Sequence, residues 1–172
     1  MKKYAAPRAA LALLALSLAP AALRAQKAVF VVRHGEKTSD SKELLTEAGR
    51  DRARRLAALL KDTGVTAIYS TDTERTRDTV QPLADALGVK VALYDTGASM
   101  AGRVDAQPFV ERLRREHPRD VVLIVGHSNT IPNLLETLGC EEKVTLASNE
   151  YDNLFVVVPR AGGTATLLRL RY

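Results

Sequence analysis

The sequence contains no tryptophan, few aromatic residues and a single cysteine among its 172 residues. Because one cysteine cannot form an internal disulfide, the fold must depend on its hydrophobic core. We expect this residue, Cys140, to be a small packed side chain rather than a nucleophile. The chain is long enough for one domain with a real core and short for two.

Acidic residues are missing from residues 1–25, which hold four basic residues. The basic start is followed by an apolar run at residues 9–22 that is rich in alanine and leucine and too short to span a bilayer comfortably. This pattern predicts a secretory signal peptide, cut between residues 21 and 25, ahead of a single domain at residues 26–172. The alternative is an uncleaved amino-terminal helix. We therefore expect an exported protein, periplasmic or secreted, without a stable membrane anchor.

The formal net charge of +5 comes mostly from this first segment. Without residues 1–25 the chain keeps 21 of its 25 basic residues and all 20 acidic residues, which leaves a net charge of +1. A nearly neutral chain gives no reason to expect a nucleic acid partner.

Short β-branched runs alternate with amphipathic stretches along the rest of the chain. Strands are predicted at residues 28–32, 66–69, 89–93 and 121–125. Helices are predicted at residues 46–61, 74–87, 107–116 and 129–139. Residues 154–158 and 164–170, on either side of a turn, are typical of a β-hairpin. The order predicts an α/β three-layer sandwich: a mostly parallel central sheet, helices on both faces and a C-terminal antiparallel β-hairpin.

Polar residues follow three of these strands directly. They are Arg33, His34 and Glu36 after the first strand, Ser70 and Thr71 with Arg75 one helical turn later, and His127, Ser128 and Asn129 after the fourth. Because the carboxyl ends of neighbouring parallel strands open on one edge of a sheet, two arginines and two histidines should converge there.

These residue types suit phosphoryl transfer. Arginine provides a planar, always charged fork for the oxygens of a phosphoryl group. A neutral imidazole is a competent nucleophile when a backbone carbonyl holds its other nitrogen. A helix starting near Asn129 would add phosphate-binding backbone donors at its positive end.

Taken in order, the motifs RHGE, S-T-x-x-x-R-T and GHSNT resemble those of the histidine phosphatase superfamily, the phosphoglycerate mutase-like phosphatases. The resemblance covers most of residues 29–139. It implies that His34 is the nucleophile that becomes phosphorylated and that Arg33, Arg75 and His127 bind the phosphate.

The proton donor for the leaving group is less clearly indicated. Many members carry an acid after the third strand or beside the second histidine, where this chain has Ser128. Asp95 is the first candidate for this role and Glu36 a lesser one.

The sequence therefore predicts a metal-independent phosphomonoester phosphatase without a cofactor, acting on a small phosphorylated substrate or a phosphopeptide. Zinc is disfavoured because the two histidines lack a third His or Cys ligand at a usable spacing and the flanking arginines repel a cation.

Two alternative functions remain. One is a non-catalytic phosphate- or phosphoprotein-binding member of the fold, and the other is a mutase-type phosphotransferase. The resemblance favours hydrolysis over a mutase reaction, because mutase members of the family have a longer insertion after the third strand than this chain has. No oligomeric state is indicated.

Overall fold

A computed structural model describes residues 26–97 and 104–172, so the predicted signal peptide at residues 1–25 lies outside the described residues. The strands are β1 (Ala28–Arg33), β2 (Val65–Ser70), β3 (Val91–Leu93), β4 (Val121–Gly126), β5 (Asn153–Pro159) and β6 (Ala165–Arg171). The helices are α1 (Glu47–Leu60), α2 (Glu74–Leu87), α3 (Gln107–Glu116) and α4 (Ile131–Thr137). A short 3-10 turn, Ala161–Gly163, lies between β5 and β6.

The described strands form one six-stranded sheet in the order β3-β2-β4-β1-β5-β6. The first four strands in this order are parallel, with Ser70 of β2 beside Val125 and Arg33 of β1 beside Gly126. The hairpin of β5 and β6 continues the sheet in antiparallel fashion, because β5 pairs with β1. The predicted fold class is confirmed, including the C-terminal hairpin.

Two apolar cores cover the two faces of the sheet. One core packs α1 and α2 against the sheet through residues such as Leu56, Leu60 and Leu83. The other packs α3 and α4 against the opposite face and includes Phe155 of β5. The sheet is therefore the middle layer of three, as expected when helices connect parallel strands on both sides.

Helix α1 begins where the sequence predicts. The Thr46 side chain accepts a hydrogen bond from the Gly49 N–H at 3.2 Å, which caps the first turn. At the end of α2, Gly88 adopts a left-handed conformation with φ 65°. The Val89 N–H still donates to the Ala84 carbonyl, which explains why β3 starts at Val91 and not at residue 89 as predicted.

The predicted start of the fourth helix near Asn129 is wrong. Residues 128–130 form a turn in which the Thr130 and Ile131 N–H groups both donate to the His127 carbonyl, at 3.1 and 3.0 Å. Helix α4 starts only at Ile131 and is seven residues long. Asn129 is exposed within the turn and does not open a helix.

Two glycines let the segment after β1 lie against the first turn of α1. A Cβ atom on Gly49 would lie 2.3 Å from the Glu36 carbonyl oxygen, and one on Gly35 would lie 2.9 Å from the Gly49 carbonyl oxygen. The Thr46 N–H donates to the Glu36 carbonyl at 2.9 Å across the same approach. This contact fixes the backbone on the C-terminal side of His34.

No helix in residues 26–97 or 104–172 is both long enough and apolar enough to cross a membrane.

Candidate active site

The three polar segments named above meet at one edge of the sheet. Strand β4 lies between β1 and β2, so the segments that follow these strands are direct neighbours. The His34 N–H donates to the Gly126 carbonyl at 3.1 Å, and the His34 and His127 rings lie 5.3 Å apart between centroids. The predicted convergence of the two histidines at this edge is therefore what the fold produces.

His34 is held as a neutral imidazole. Its side chain is buried, with the residue 3% exposed, and burial lowers its pKa to about 4, with His127 and the two arginines adding to the effect. Its Nδ1 atom lies 2.7 Å from the Gly35 carbonyl oxygen. A carbonyl can only accept, so Nδ1 carries the hydrogen and Nε2 carries the lone pair.

The backbone around His34 is anchored by α2. The Gly35 N–H donates to Thr79 Oγ1 at 2.9 Å, and the Thr79 hydroxyl donates to the Arg75 carbonyl at 2.7 Å. The same helix therefore carries a predicted phosphate ligand and supports the segment of the predicted nucleophile.

His127 is also neutral near pH 7. Burial lowers its pKa to about 4, and the charges of Arg75 and Arg33 act in the same direction. Its Nε2 atom lies 2.9 Å from Thr71 Oγ1. Nδ1 is consequently the ring nitrogen that remains for a bound anion.

Arg33 is oriented by the segment before β5. Its Nη1 atom donates to three carbonyl oxygens, each at 3.0 Å, which belong to Ala147, Ser148 and Glu150. The guanidinium carbon lies 4.0 Å from the centre of the Tyr151 ring, and that ring lies 5.8 Å from the His34 ring. These contacts fix the plane of the guanidinium group beside the imidazole.

Arg75 projects from the first turn of α2. Its Nη1 atom forms an ion pair with Glu43 Oε2, and Glu43 Oε1 lies 2.5 Å from Lys37 Nζ. Within the described residues, the Nε atoms of both Arg75 and Arg33 are buried without a hydrogen-bond partner. Buried donors of this kind ordinarily find acceptors, and phosphate oxygens are acceptors of the right charge.

The two candidate proton donors lie in different surroundings. Asp95 Oδ1 accepts a hydrogen bond from the Gly97 N–H at 3.0 Å, and Asp95 lines an open cleft of about 450 Å³ together with His127. Glu36 instead receives Arg52 Nε and Nη2, at 2.9 and 2.6 Å. Arg52 lowers the pKa of Glu36, so this carboxyl group is committed to an ion pair. The geometry thus favours Asp95 over Glu36 as a donor.

Sequence reasoning missed two parts of this site. Residues 147–151 reach it because β5 is antiparallel and therefore begins at the edge where β1 ends. Glu43 reaches it from the loop between β1 and α1. The aromatic Tyr151, placed shortly before a predicted strand, was the available signal for the first part.

No group of three or more His, Cys, Asp or Glu residues in the described part of the chain is arranged to hold a metal ion. Cys140 is buried beside Ala165 at the start of β6, and burial raises the pKa of its thiol to about 11. This agrees with the prediction that it is a packed residue.

Comparisons with known proteins support the resemblance noted in the sequence. The model of the histidine phosphatase superfamily (branch 1) matches residues 29–98. A protein described as probable phosphoglycerate mutase GpmB, from Erwinia tasmaniensis, is 36% identical over 73 residues, covering 38% of this chain and 34% of that protein. The match thus spans about a third of that relative's length.

The fold is shared with several solved structures. The protein histidine phosphatase SixA, complexed with tungstate, has a TM-score of 0.67 at 20% identity, covering 84% of this chain and 96% of SixA. The mycobacterial glucosyl-3-phosphoglycerate phosphatase Rv2419c has a TM-score of 0.64 at 16% identity, with coverages of 85% and 98%. YhfR from Bacillus stearothermophilus has a TM-score of 0.64 at 18% identity, with coverages of 83% and 95%. At these identities the likeness concerns the fold.

Proposed function

Because this chain resembles the histidine phosphatase superfamily in its motifs, in residues 29–98 and in its fold, we propose that it is a phosphoric monoester hydrolase with His34 as the nucleophile. The observation that carries the proposal is the neutral, buried imidazole of His34, with Nδ1 held by the Gly35 carbonyl and a pKa of about 4. A lone pair on Nε2 beside two guanidinium groups is what attack on a phosphate ester requires.

The reaction has two steps. His34 Nε2 attacks phosphorus, the bond between phosphorus and the ester oxygen breaks, and the leaving alkoxide takes up a proton. Water then attacks the phosphohistidine, the N–P bond breaks, and inorganic phosphate leaves with His34 regenerated. Arg33, Arg75 and His127 hold the phosphoryl oxygens throughout, because the charge of the transferring group is concentrated there.

Asp95 is the proposed proton donor of the first step, since it lines the cleft beside His127. A leaving group with a low pKa needs little assistance, whereas an alkyl alcohol needs a proton as the bond breaks. Replacement of Asp95 should therefore matter most for alkyl phosphates.

A mutase-type phosphotransferase is the second candidate, because the sequence relative described above carries the name of a probable phosphoglycerate mutase. The two activities share the phosphohistidine and differ in the acceptor. A mutase would move phosphate between two hydroxyl groups without net release, whereas the proposed hydrolase releases inorganic phosphate.

The remaining features of the proposal come from the sequence. We propose that the chain is exported, on the basis of the basic and then apolar pattern of residues 1–25. We also propose that it acts without a metal, because Arg33 and Arg75 flank the two histidines and would repel a cation. Its substrate would be a small phosphorylated compound or a phosphopeptide.

The central test is the His34→Ala variant of a chain starting at residue 26, with His117→Ala as the matched control. His117 contacts Tyr69 and Asp120, away from the predicted phosphate ligands. On an aryl phosphate we expect His34→Ala to lose roughly a thousandfold or more in kcat/KM, and the control to stay near wild type. Brief exposure to labelled substrate should trap an acid-labile, base-stable phosphate on the wild type only.

Turnover by His34→Ala near the wild-type rate would refute the assignment of His34 as the nucleophile. Activity that disappears in EDTA and returns with zinc would refute the metal-free mechanism.

A further inference from the structure

One carboxylate lies directly on a predicted phosphate ligand. Glu43 Oε2 pairs with the guanidinium group of Arg75, while Glu43 Oε1 pairs with Lys37 Nζ at 2.5 Å. The side chain of Arg75 is only 18% exposed. A phosphoryl group that uses the same guanidinium face must therefore compete with an anion supplied by the chain itself.

The loop that carries Glu43 is built to present it. Asp40 Oδ1 accepts hydrogen bonds from the Lys42 and Glu43 N–H groups, both at 3.1 Å, and from the Thr38 hydroxyl at 2.7 Å. The Thr38 N–H donates to the Leu44 carbonyl at 2.8 Å and closes the loop. These bonds hold the Glu43 backbone while leaving its carboxylate free to reach two cations.

The backbone of Glu43 is unusual. Its φ of +49° is the only positive value at a non-glycine position among the described residues. This conformation suits glycine or asparagine and costs most other residues free energy. A strained backbone of this kind tends to be found at functional positions, where it fixes a side chain.

The electrostatics agree with this placement. Lys37 and then Arg75 lower the pKa of Glu43, so the carboxylate is charged near pH 7. A proton on His34 would lower the pKa of Glu43 further, and the Glu43 carboxylate in turn raises the pKa of His127. The carboxylate therefore faces the same space as the two imidazoles.

We propose that Glu43 is an intramolecular competitor for the phosphate site, which releases Arg75 when a phosphoryl group binds and so sets the affinity of the site. The inference rests on the proposed function, since it takes Arg75 as a phosphate ligand. Because Lys37 holds the other carboxylate oxygen, only one of the two ion pairs has to break. Glu43 stays near Lys37 after the exchange, and Arg75 passes to the phosphoryl oxygens.

Removal of the Glu43 charge should tighten phosphate binding, which is the opposite of what loss of a structural ion pair would do. The test is calorimetric titration of inorganic phosphate into the chain starting at residue 26, at pH 7.5. We expect Glu43→Gln to bind phosphate three- to thirtyfold more tightly than wild type. Glu43→Asn, whose new side chain tolerates a positive φ, should show the same gain and provides a second variant if Glu43→Gln folds poorly.

Glu47→Gln is the matched control, because Glu47 pairs with Arg50 and Arg54 on the exposed side of α1. Its phosphate affinity should equal that of wild type. In the Arg75→Gln background the gain from Glu43→Gln should disappear, since the competition needs both partners.

Two failures can be told apart. Unchanged or weaker phosphate binding in both Glu43 variants, with Arg75→Gln weakening it, overturns this inference alone. If Arg75→Gln leaves phosphate binding unchanged, the proposed phosphate site and the inference are both overturned.

Discussion

Two neutral imidazoles lie beside two arginines, one of them, His34, buried and the other, His127, partly buried. His34 and His127 each have a pKa lowered from 6.5 to about 4, mainly by burial. Burial keeps Nε2 of His34 unprotonated in the folded protein. The unfolded chain binds that proton more readily, so acidification favours unfolding. Under the proposed mechanism, activity and stability therefore respond to pH through the same side chains.

The sign of this linkage is fixed by the two pKa values. Between pH 6.5 and about pH 4 the unfolded chain binds a proton at His34 that the folded chain does not. The contribution of neutral His34 to the free energy of unfolding is fully present above pH 6.5 and is lost as the pH falls toward 4. We expect the free energy of unfolding to fall more on acidification in wild type than in His34→Gln.

Urea unfolding at pH 7 and pH 5 measures this difference. The wild type should lose roughly 1–2 kcal/mol more than the variant over that interval. The carboxylates are common to both proteins, so their own titration cancels in the comparison. Equal losses in the two proteins would show that His34 is not buried in its neutral form.

The position of Arg33 can be predicted from the sequence, but its orientation cannot. Arg33 follows a strand and precedes His34, which suffices to predict its place at the sheet edge. Its orientation depends on the carbonyl groups of residues 147–150, more than a hundred positions away. Backbone carbonyls are present at every residue and therefore leave no trace in the sequence.

At the scale of elements, the sequence was informative wherever a local rule applied. The four helices and the four parallel strands follow from apolar periodicity, and the start of α1 follows from Thr46 as a cap. Helix α4 starts two residues later than predicted because the turn of residues 128–130 is held by local bonds, from the Thr130 and Ile131 N–H groups to the His127 carbonyl and from the His127 N–H to Thr130 Oγ1. Local propensity does not distinguish such a turn from a first helical turn.

The loop between β1 and α1 shows the same limit for the site. Glu43 was not predicted because its role depends on Arg75, which is 32 positions away on another element. Its unusual φ is a property of the folded loop and is encoded by Asp40 acting as a local cap. An ion pair between two elements can be predicted only when it is known which elements lie side by side in the fold.

The contact between α1 and the segment after β1 can be tested at Gly49. This glycine lies in a helix, where alanine is normally favoured by about 1 kcal/mol. A Cβ atom here would come within 2.3 Å of the Glu36 carbonyl oxygen, which belongs to the backbone and cannot move alone. We expect Gly49→Ala to destabilise the protein by roughly 1–3 kcal/mol and to lower kcat as the His34 segment shifts.

Thermal unfolding and aryl phosphate kinetics check both parts of this prediction. A higher melting temperature, as helix propensity alone would give, would contradict the close approach. Unchanged kcat in a destabilised variant would show that the contact supports the fold without positioning His34.

The C-terminal hairpin of β5 and β6 contacts the candidate site in two ways. Strand β5 completes the sheet beside β1, and the segment before it orients Arg33. At the same end of the hairpin, where the last residues of β6 pair with the start of β5, the carbonyl of Tyr172 accepts from Arg52 Nη1 at 2.7 Å, and Arg52 also binds Glu36. The hairpin is therefore part of the central sheet and a support for the residues around His34.

This arrangement predicts very different costs for two apolar truncations in the hairpin. Phe155 of β5 is fully buried in the core with α3 and α4, whereas Leu168 of β6 is 50% exposed. Phe155→Ala should lower the free energy of unfolding by about 3–5 kcal/mol because it removes a ring from a packed core. Leu168→Ala should cost less than about 1 kcal/mol.

Urea unfolding of both variants, followed by circular dichroism, measures this contrast. Because β5 directly follows the segment that holds Arg33, the folded fraction of Phe155→Ala should also bind phosphate more weakly, while Leu168→Ala binds it as wild type does. Comparable stability losses in the two variants would mean that the hairpin is attached to the outside of the domain. In that case the hairpin would not be what holds Arg33 in place.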